Sequence, residues 1–466
     1  MGVVHGMARA GAAREGATHA SPLRVGAARV EITPVIGGPM AGYFKERRST
    51  GILDPLYARA LVMETDETRI GIVAVDAVCL KSAVTRAVRE NAGPAFSAIM
   101  VAATHTHTGP VTRSIFDIPA DDTFLKALPE RIAAALTEAE ARLSPVTIHA
   151  VRAAVPGLAF NRRYSMNDGS VKMNPGLGNP NIVAPAGPVD PDAVLVTFDR
   201  LDGTAAASIA HFALHLDTTG GTEYSADYPA GLLARIESAL GPDHRSLFLL
   251  GFCGDVNHID VAGPPSQSGP SQAQAIGEKI ANALLDALPN RQKLPAGPIR
   301  AESAWITGIR RPLSRDHHAA FEAIAAGREW SGDDPLDADI PEALRPMYAR
   351  ERLALMNEPA TEDVEAQVLR VGDLAIVGAP GEMFSQYQLD LKRVGCAVAL
   401  PVSLANGYAG YIPTRKAFAE GGYETWLSRS SFLSPDTGDR WAASVKTLLE
   451  RVAASAGGSW QVKGKR

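Results

Sequence analysis

Short apolar runs alternate with longer amphipathic segments along most of this chain. The runs RIGIVAVDAVCL (69–80) and AFSAIMVAATHTH (95–107) are typical of buried strands. The segment DTFLKALPERIAAALTEAEARL (122–143) has the apolar period of a helix, with Asp122 as its expected N-cap. Strands and helices that alternate in this way predict an α/β domain.

The same reasoning extends the pattern to residue 455. Further strands are predicted in AVLVTFDR (193–200), AAASIAHFALH (205–215), RSLFLLGFCG (245–254) and DLAIVGAP (373–380), and further helices in YPAGLLARIESALG (228–241), QAQAIGEKIANALLDAL (272–288), MFSQYQLDLKRVG (383–395) and RWAASVKTLLERVAAS (440–455). The predicted fold is a mixed, largely parallel sheet flanked by helices.

The domain organisation is expected to be simple. We predict a disordered leader over 1–22, a single domain over 23–456 and a flexible tail over 457–466. A charged, proline-rich segment at about 325–362 is expected to form an excursion within that domain.

Composition narrows the class of protein. The chain has 466 residues, a formal net charge of −5 and 46% apolar residues, which is ordinary for a globular protein and gives no basic surface for nucleic acid. Three cysteines, at positions 79, 253 and 396, argue against a disulfide framework and are compatible with a reducing compartment. Because neither a signal-peptide core nor a membrane-spanning run is recognised, we expect a cytoplasmic protein.

Candidate chemistry lies where the predicted strands end. In open α/β sheets, ligands bind beyond the carboxyl ends of strands. His105 and His107 follow one predicted strand, His215 another, and Glu382 a third. Histidine and carboxylate are ligands that zinc prefers, so the pattern favours a zinc site at the strand ends. A single histidine at a strand end is more often a hydrogen-bonded structural residue than a metal ligand.

Other catalytic signatures are missing from the sequence. It contains no phosphate-binding G-x-x-x-x-G-K-[ST] loop, no dinucleotide-binding G-x-G-x-x-G, no G-x-S-x-G elbow and no H-E-x-x-H. Cys253 is a conceivable nucleophile, although a buried structural cysteine is the commoner case.

Several motifs resemble, in order, those of the neutral/alkaline non-lysosomal ceramidases, a family of zinc amidases. VAATHTHTGP (101–110) is similar to the family's A-T-H-T-H-S-G-P, and the likeness spans about residues 25–430. The other similar segments are AARVEITP…MAGYF…GILDPLYARALV (27–62), NRRYS (161–165), FALHLDT (212–218), GDVNHID (254–260), VGAPGE (377–382) and NGYAGYIPTRKAF…GGYE (406–424).

The resemblance implies roles for particular residues. The zinc ligands would be His105, His215, Glu382 and Tyr411, with His107 as a nearby histidine outside the ligand set. Arg162 and Tyr423 would face the substrate carbonyl or the oxyanion that develops from it.

This chain departs from the family at the position of the proposed nucleophilic serine. Asn257 stands there, followed by His258, and an amide cannot replace a hydroxyl as a nucleophile. A water molecule activated by zinc remains adequate. Asn257 would then orient substrate or donate to the oxyanion, and His258 would be a general acid, a further ligand or a structural residue.

The leading hypothesis from the sequence is a zinc-dependent hydrolase of non-peptide linear amides, made of the family's catalytic domain only. Its substrate would be a small-molecule amide or ester, with an N-acyl lipid or ceramide among the candidates. Two alternatives stay open: an esterase or lactonase on the same zinc site, and a non-catalytic ligand-binding protein.

Overall fold

A computed structural model describes residues 22–65, 68–393 and 396–454. The predicted tail lies outside these residues, as does the predicted leader except for its last residue. Within the described residues the chain forms twenty-four strands, nine α-helices and four short 3₁₀ helices.

The bounds of these elements are as follows. The strands are β1 (Arg24–Glu31), β2 (Pro39–Met40), β3 (Arg47–Arg48), β4 (Gly51–Ile52), β5 (Tyr57–Glu64), β6 (Arg69–Val75), β7 (Ala98–Ala103), β8 (Ser144–Ala154), β9 (Phe160–Asn161), β10 (Arg163–Met166), β11 (Val171–Met173), β12 (Ile182–Pro185), β13 (Asp192–Arg200), β14 (Ala205–Phe212), β15 (Glu223–Tyr224), β16 (Arg245–Leu250), β17 (Val256–Asn257), β18 (Gln292–Leu294), β19 (Ile299–Ile309), β20 (Thr361–Val371), β21 (Leu374–Gly378), β22 (Glu382–Met383), β23 (Val398–Val402) and β24 (Tyr411–Ile412). The α-helices are α1 (Ser82–Ala92), α2 (Asp122–Glu140), α3 (Tyr228–Leu240), α4 (Pro270–Ala287), α5 (His318–Ala325), α6 (Arg345–Leu355), α7 (Ser385–Leu391), α8 (Arg415–Glu420) and α9 (Thr437–Ala454). The 3₁₀ helices are Leu288–Asn290, Arg315–His317, Glu342–Leu344 and Tyr423–Thr425.

Two sheets form the centre of the molecule. The larger has the order β16-β14-β13-β8-β1-β5-β6-β7, with β18 beside β8, and the smaller has the order β19-β20-β21-β23. Of these strands, seven were not among the predicted elements: β1, β5, β8, β18, β19, β20 and β23. The predicted helices are present, although the cap of α2 is Asp121, whose side chain accepts a hydrogen bond from the backbone N–H of Phe124.

Both faces of both sheets are covered, which makes four layers. On β5, Ala60 and Val62 contact a core shared with helices α1 to α4, whereas Leu61 and Met63 point into a second core between the two sheets. The far face of the smaller sheet packs against α7 and α9 around Trp441. The order of layers is therefore helices, large sheet, small sheet, helices, because alternate residues of each strand serve two different cores.

The α/β class and the mixed sheet are confirmed, but the expectation of a largely parallel sheet is wrong. In the large sheet only β6–β7 and β14–β16 are parallel pairs, and the other pairings are antiparallel. Continuous apolar runs are typical of parallel strands because helices cover both faces of such sheets. Here antiparallel strands are covered on both faces too, so that the pattern does not reveal the strand direction.

The few parallel pairs bring three strand ends together. The backbone N–H of Ser403, just after β23, donates to the carbonyl of Leu250 at the end of β16. The N–H of Ala103, at the end of β7, donates to the carbonyl of Leu404. The segment after β23 therefore joins the carboxyl ends of β7 and β16, which otherwise lie at opposite ends of the large sheet.

The proline-rich excursion predicted at 325–362 lies in the connection between β19 and β20. Helices α5 and α6 pack against each other there around Phe321 and Tyr348, and their cluster includes Phe116 and Trp426 from outside the excursion. The Glu351 carboxylate fixes the contact, because it accepts a hydrogen bond from the backbone N–H of Phe116 at 2.7 Å.

The long helices carry polar residues along one side. The longest, α2, has 19 residues, and α4 and α9 have 18 each. Among the described residues, no helix combines the length and the apolar character that a membrane crossing requires.

The Asp76 carboxyl group, directly after β6, is buried and makes stability depend on pH. The carboxylate accepts hydrogen bonds from the backbone N–H of Tyr57 at 2.9 Å and from the Thr104 hydroxyl at 3.2 Å, yet burial raises its pKa to about 6. The native state therefore holds more protons than the unfolded chain between about pH 4 and 6, and this carboxyl group lowers stability as the pH rises through that window.

We expect Asp76→Asn to remove this dependence. Relative to wild type, its free energy of unfolding should improve by up to about 3 kcal/mol between pH 4 and pH 7, as measured by urea unfolding at several pH values. Asp122→Asn, at an exposed position, should follow the wild-type profile. A difference between Asp76→Asn and wild type that does not change with pH would contradict the assignment.

Candidate metal centre

His105 and His107 occupy a turn that immediately follows β7. His105 has a positive φ of 74°, and its backbone N–H donates to the carbonyl of Ala77 at 2.9 Å. Its Nδ1 donates to the carbonyl of Val78 at 2.6 Å. The backbone N–H of His107 donates to the carbonyl of Leu216, after β14, at 2.9 Å. A non-glycine residue in this backbone region is strained, and such strain is common at functional sites.

His215 lies in the segment after β14 and contacts His105. Its Nδ1 donates to the carbonyl of Cys253 at 3.1 Å, and its Nε2 lies 3.0 Å from Nε2 of His105. A carbonyl oxygen can only accept, so Nδ1 carries the hydrogen in both rings. In the neutral rings both Nε2 lone pairs therefore point at the same place, which is where a cation would be stabilised.

Glu382 completes this group from the smaller sheet. Its Oε2 lies 3.3 Å from Nε2 of His105 and 3.6 Å from Nε2 of His215, and this buried oxygen accepts no hydrogen bond. The other oxygen, Oε1, accepts a hydrogen bond from the Tyr408 hydroxyl at 3.0 Å. The short parallel pair β22–β24 aligns Glu382 with Tyr411.

The spacing of these atoms fits a tetrahedral metal ion. Ligand bonds of 2.0–2.1 Å in a tetrahedron place the ligand atoms about 3.3 Å apart. The separations among His105, His215 and Glu382 lie on both sides of that value, and Nε2 of His107 is 3.4 Å from Nε2 of His105. The three histidines form a group that could hold a metal ion.

The electrostatics of the group also favour a bound cation. Burial lowers the pKa of His105, but the Glu382 charge more than compensates, so that the net shift is upward. Burial raises the pKa of Glu382, yet His105 and then His215 hold it well below its usual range. Burial, aided by His105, lowers the pKa of His107 to about 3.

Arg162 reaches the group through a buried ion-pair network. Its Nη1 lies 3.5 Å from Nε2 of His215, and its Nε donates to Glu424 at 2.8 Å. Glu424 is fully buried and also accepts a 2.8 Å hydrogen bond from Arg163. The rings of Tyr411 and Tyr423 pack edge to face, with the Arg162 guanidinium over both. Glu424 therefore fixes the direction in which Arg162 points.

Asn257 and His258 lie in different surroundings. Asn257 lines the cavity in front of the histidines, where its amide donates to the side chain of Asn174 at 3.2 Å. His258 does not line that cavity. Its Nδ1 is 3.1 Å from a carboxylate oxygen of Asp217, and its Nε2 is 3.1 Å from the Ser268 hydroxyl.

The cavity has a volume of about 230 Å³ and brings together almost all of the predicted site residues. Every one except His258 contributes to its lining. One wall is apolar and comprises Val78, Val111, Ile115, Phe116, Ile118 and Met173. The roles assigned to the individual residues stay predictions.

Three polar residues of this region were missed by the sequence analysis. Asp217 lines the cavity two positions after His215, and Tyr408 binds Glu382. Glu424, which is adjacent to the predicted Tyr423, anchors Arg162. Their closeness in sequence to predicted residues was the available signal, although sequence spacing alone does not show which neighbour points inward.

Comparison with known proteins finds similar sequences and a similar fold. The sequence model described as "Neutral/alkaline non-lysosomal ceramidase, N-terminal" matches residues 23–223. The neutral ceramidase of Mycobacterium tuberculosis is 25% identical over 476 residues, covering 83% of this chain and 70% of that protein. The resemblance to the neutral/alkaline non-lysosomal ceramidases is confirmed. The matched region contains His105, His107 and His215.

The neutral ceramidase of Pseudomonas aeruginosa is similar to this chain in both sequence and structure. Its sequence is 21% identical over 471 residues, covering 86% of this chain and 68% of that protein. The crystal structure of the P. aeruginosa neutral ceramidase superposes with a TM-score of 0.70 at 19% identity, covering 92% of this chain and 75% of that one. This chain therefore shares the ceramidase fold across both sheets, beyond the region that the sequence model matches.

Gly42 sets the position of His107. It has a φ of +103°, and a Cβ atom there would lie 2.5 Å from Cβ of His107. We expect Gly42→Ala to displace the imidazole and to cost about 1–3 kcal/mol of stability, as measured by urea unfolding. Gly37→Ala is a matched control, since Gly37 has a φ of +96° but no atom near its Cβ position. Equal losses in both variants would show that backbone strain, not the contact with His107, is responsible.

The Glu424 network gives a second prediction. Glu424→Gln leaves Arg162 and Arg163 buried without their shared carboxylate, so we expect a loss of about 3 kcal/mol or more in the free energy of unfolding. Glu420→Gln, which removes a more exposed carboxylate 3.6 Å from Arg163, should cost less than about 1 kcal/mol. Chemical denaturation of both variants compares them, and similar small losses would mean that the network is not a stabilising feature.

Proposed function

We propose that this chain is a zinc-dependent hydrolase of carboxylic amides. The convergence of two imidazole Nε2 atoms and a carboxylate oxygen that accepts no hydrogen bond, in the lining of a largely apolar cavity, carries this proposal. The likeness to neutral ceramidases supports amide hydrolysis as the reaction class.

His105, His215 and Glu382 would hold the ion, with Tyr411 as the fourth ligand suggested by its pairing with Glu382. A bound zinc ion supplies Lewis acidity and lowers the pKa of water towards about 7. The residues around it then have separable tasks of binding, orientation and proton transfer.

Arg162 and Tyr423 would orient the substrate carbonyl and stabilise the negative charge that develops on its oxygen. Arg162 is suited to this because Glu424 and the carbonyl of Gly254 hold its guanidinium in place before substrate binds. Preorganised donors of this kind lower the barrier without reorganisation during the reaction.

Water would be the attacking group. The Asn257 side chain is not a nucleophile, and its two polar atoms are engaged with Asn174 and with the backbone N–H of Ile259. Of the two histidines considered for proton transfer, His107 lines the cavity and His258 does not, so we assign that role to His107.

The apolar wall suits the hydrocarbon part of an N-acyl compound. The names of the relatives make ceramide the first substrate to test, together with shorter N-acyl amides and matched esters.

Metal analysis of purified variants tests the proposal first. We expect wild type to contain near-stoichiometric zinc, which His215→Ala loses because it removes a ligand. His107→Ala should keep the metal, because His105, His215 and Glu382 remain as ligands, but it should lose at least about a hundredfold in amide hydrolysis through loss of the proton carrier. His258→Gln serves as the control and should keep the metal.

The activity assay is a panel of N-acyl amides and esters with a chelator control. Hydrolysis of an amide that the chelator abolishes and zinc restores is the expected result. Absence of metal from wild type after reconstitution with zinc, or hydrolysis unaffected by chelation, would refute the proposal.

A further inference from the structure

Arg113 lies in the cavity lining, and among the described residues its guanidinium forms no hydrogen bond and no ion pair. It follows the histidine turn, lines the cavity, and stacks over the rings of Tyr408 and Phe432 with its guanidinium carbon 5.2 Å and 5.8 Å from their centroids. Its Nη1 is buried and has no hydrogen-bond partner. Among the described residues, no carboxylate forms an ion pair with it.

The carboxylates near Arg113 are already engaged. Glu382 is occupied by the histidines and Tyr408, and Asp217 by His258. Burial raises the pKa of Glu362, and the Arg113 charge opposes this shift, but the hydrogen bond that Glu362 accepts comes from Arg310 at 2.6 Å. Among the described residues, the Arg113 guanidinium therefore has no carboxylate in direct contact.

Such an arrangement is costly for stability. Arg113 is half-buried, and its buried Nη1, which has no acceptor, loses hydration that nothing replaces. Stacking on two aromatic faces recovers part of this loss, but it leaves the in-plane N–H groups free. Those in-plane donors are the ones that grip a carboxylate in a two-point contact.

The position of Arg113 connects it with the candidate metal centre. One ring, that of Tyr408, lies between the guanidinium and Glu382, since the Tyr408 hydroxyl binds Glu382 while its face contacts Arg113. A substrate whose amide lies at the histidines can therefore extend along the same cavity to Arg113.

We propose that Arg113 binds a carboxylate group of the substrate, so that this enzyme acts on anionic amides in preference to neutral ones. The inference rests on the proposed amide hydrolysis and adds its substrate class. A single arginine suits a monoanionic carboxylate, whereas phosphate sites usually assemble several donors. The carboxylate is carried either by the amine part, as in an N-acyl amino acid, or by the far end of the acyl chain.

Matched substrates test the proposal. Hexanoylglycine and hexanoyl-ethanolamine differ mainly in the carboxylate, and the mono-ethanolamide of adipic acid places that charge on the acyl side instead. We expect the zinc-loaded enzyme to prefer one of the two anionic amides over hexanoyl-ethanolamine by at least about tenfold in kcat/KM. The preferred member shows which part of the substrate carries the carboxylate.

Variants of Arg113 assign the preference to this side chain. Arg113→Met should remove the preference by raising KM for the anionic amide, so that in this variant kcat/KM for that amide falls to the level of kcat/KM for hexanoyl-ethanolamine. Arg113→Lys should keep part of the preference, because lysine supplies the charge but not the two-point contact. Arg48→Met, which removes an exposed arginine outside the cavity lining, should behave as wild type.

A binding measurement separates this inference from the proposed function. Calorimetric titration of the metal-stripped protein with the two anionic amides should give, for one of them, an affinity that Arg113→Met weakens by about tenfold; removing the metal excludes carboxylate binding to the ion. If no amide is hydrolysed but this affinity difference holds, the proposed reaction fails and the anion site stands. Equal binding to Arg113→Met and wild type, or a wild-type preference for the neutral amide, overturns the inference.

Discussion

The constraint on which the rest of this structure depends is the orientation of two imidazole rings. His105 and His215 each give their Nδ1 hydrogen to a backbone carbonyl, and this turns both Nε2 lone pairs towards the same point. Glu382 adds a carboxylate oxygen that accepts no hydrogen bond. In a protein interior such an arrangement is unfavourable without a positive charge among the three atoms. The backbone around them therefore has to be rigid enough to maintain it.

The sheets provide that rigidity. The turn that holds His105 follows β7, the segment that holds His215 follows β14, and Glu382 follows β21. Each of these strands belongs to a parallel pair in an otherwise mostly antiparallel molecule. The unusual strand direction is thus concentrated where the site is built, in keeping with the tendency of ligands to bind beyond the carboxyl ends of parallel strands.

The candidate site and the sheet left different signals in the sequence. Strand-end histidines and a carboxylate after an apolar run carry their own chemical signal, and His105, His215 and Glu382 were selected on that basis. Strand direction carries no such signal when both faces of a strand are buried, which is why the parallel share was overestimated. The resemblance alone singled out Tyr411, and pairing with Glu382 places it at the site. Glu424 and Arg113 needed coordinates, because the partners of a buried charge, or their absence, depend on tertiary contacts between distant segments.

The residues of the candidate centre are spread from His105 to Tyr411, and no short segment of the chain contains a complete set. During synthesis the first two histidines leave the ribosome long before His215, and Glu382 and Tyr411 appear only near the end. A growing chain can therefore offer an ion only weak, partial ligation until both sheets have assembled. An ion bound at this centre would therefore be acquired among the last events of folding, and its supply would determine when a folded molecule becomes a metal-loaded one.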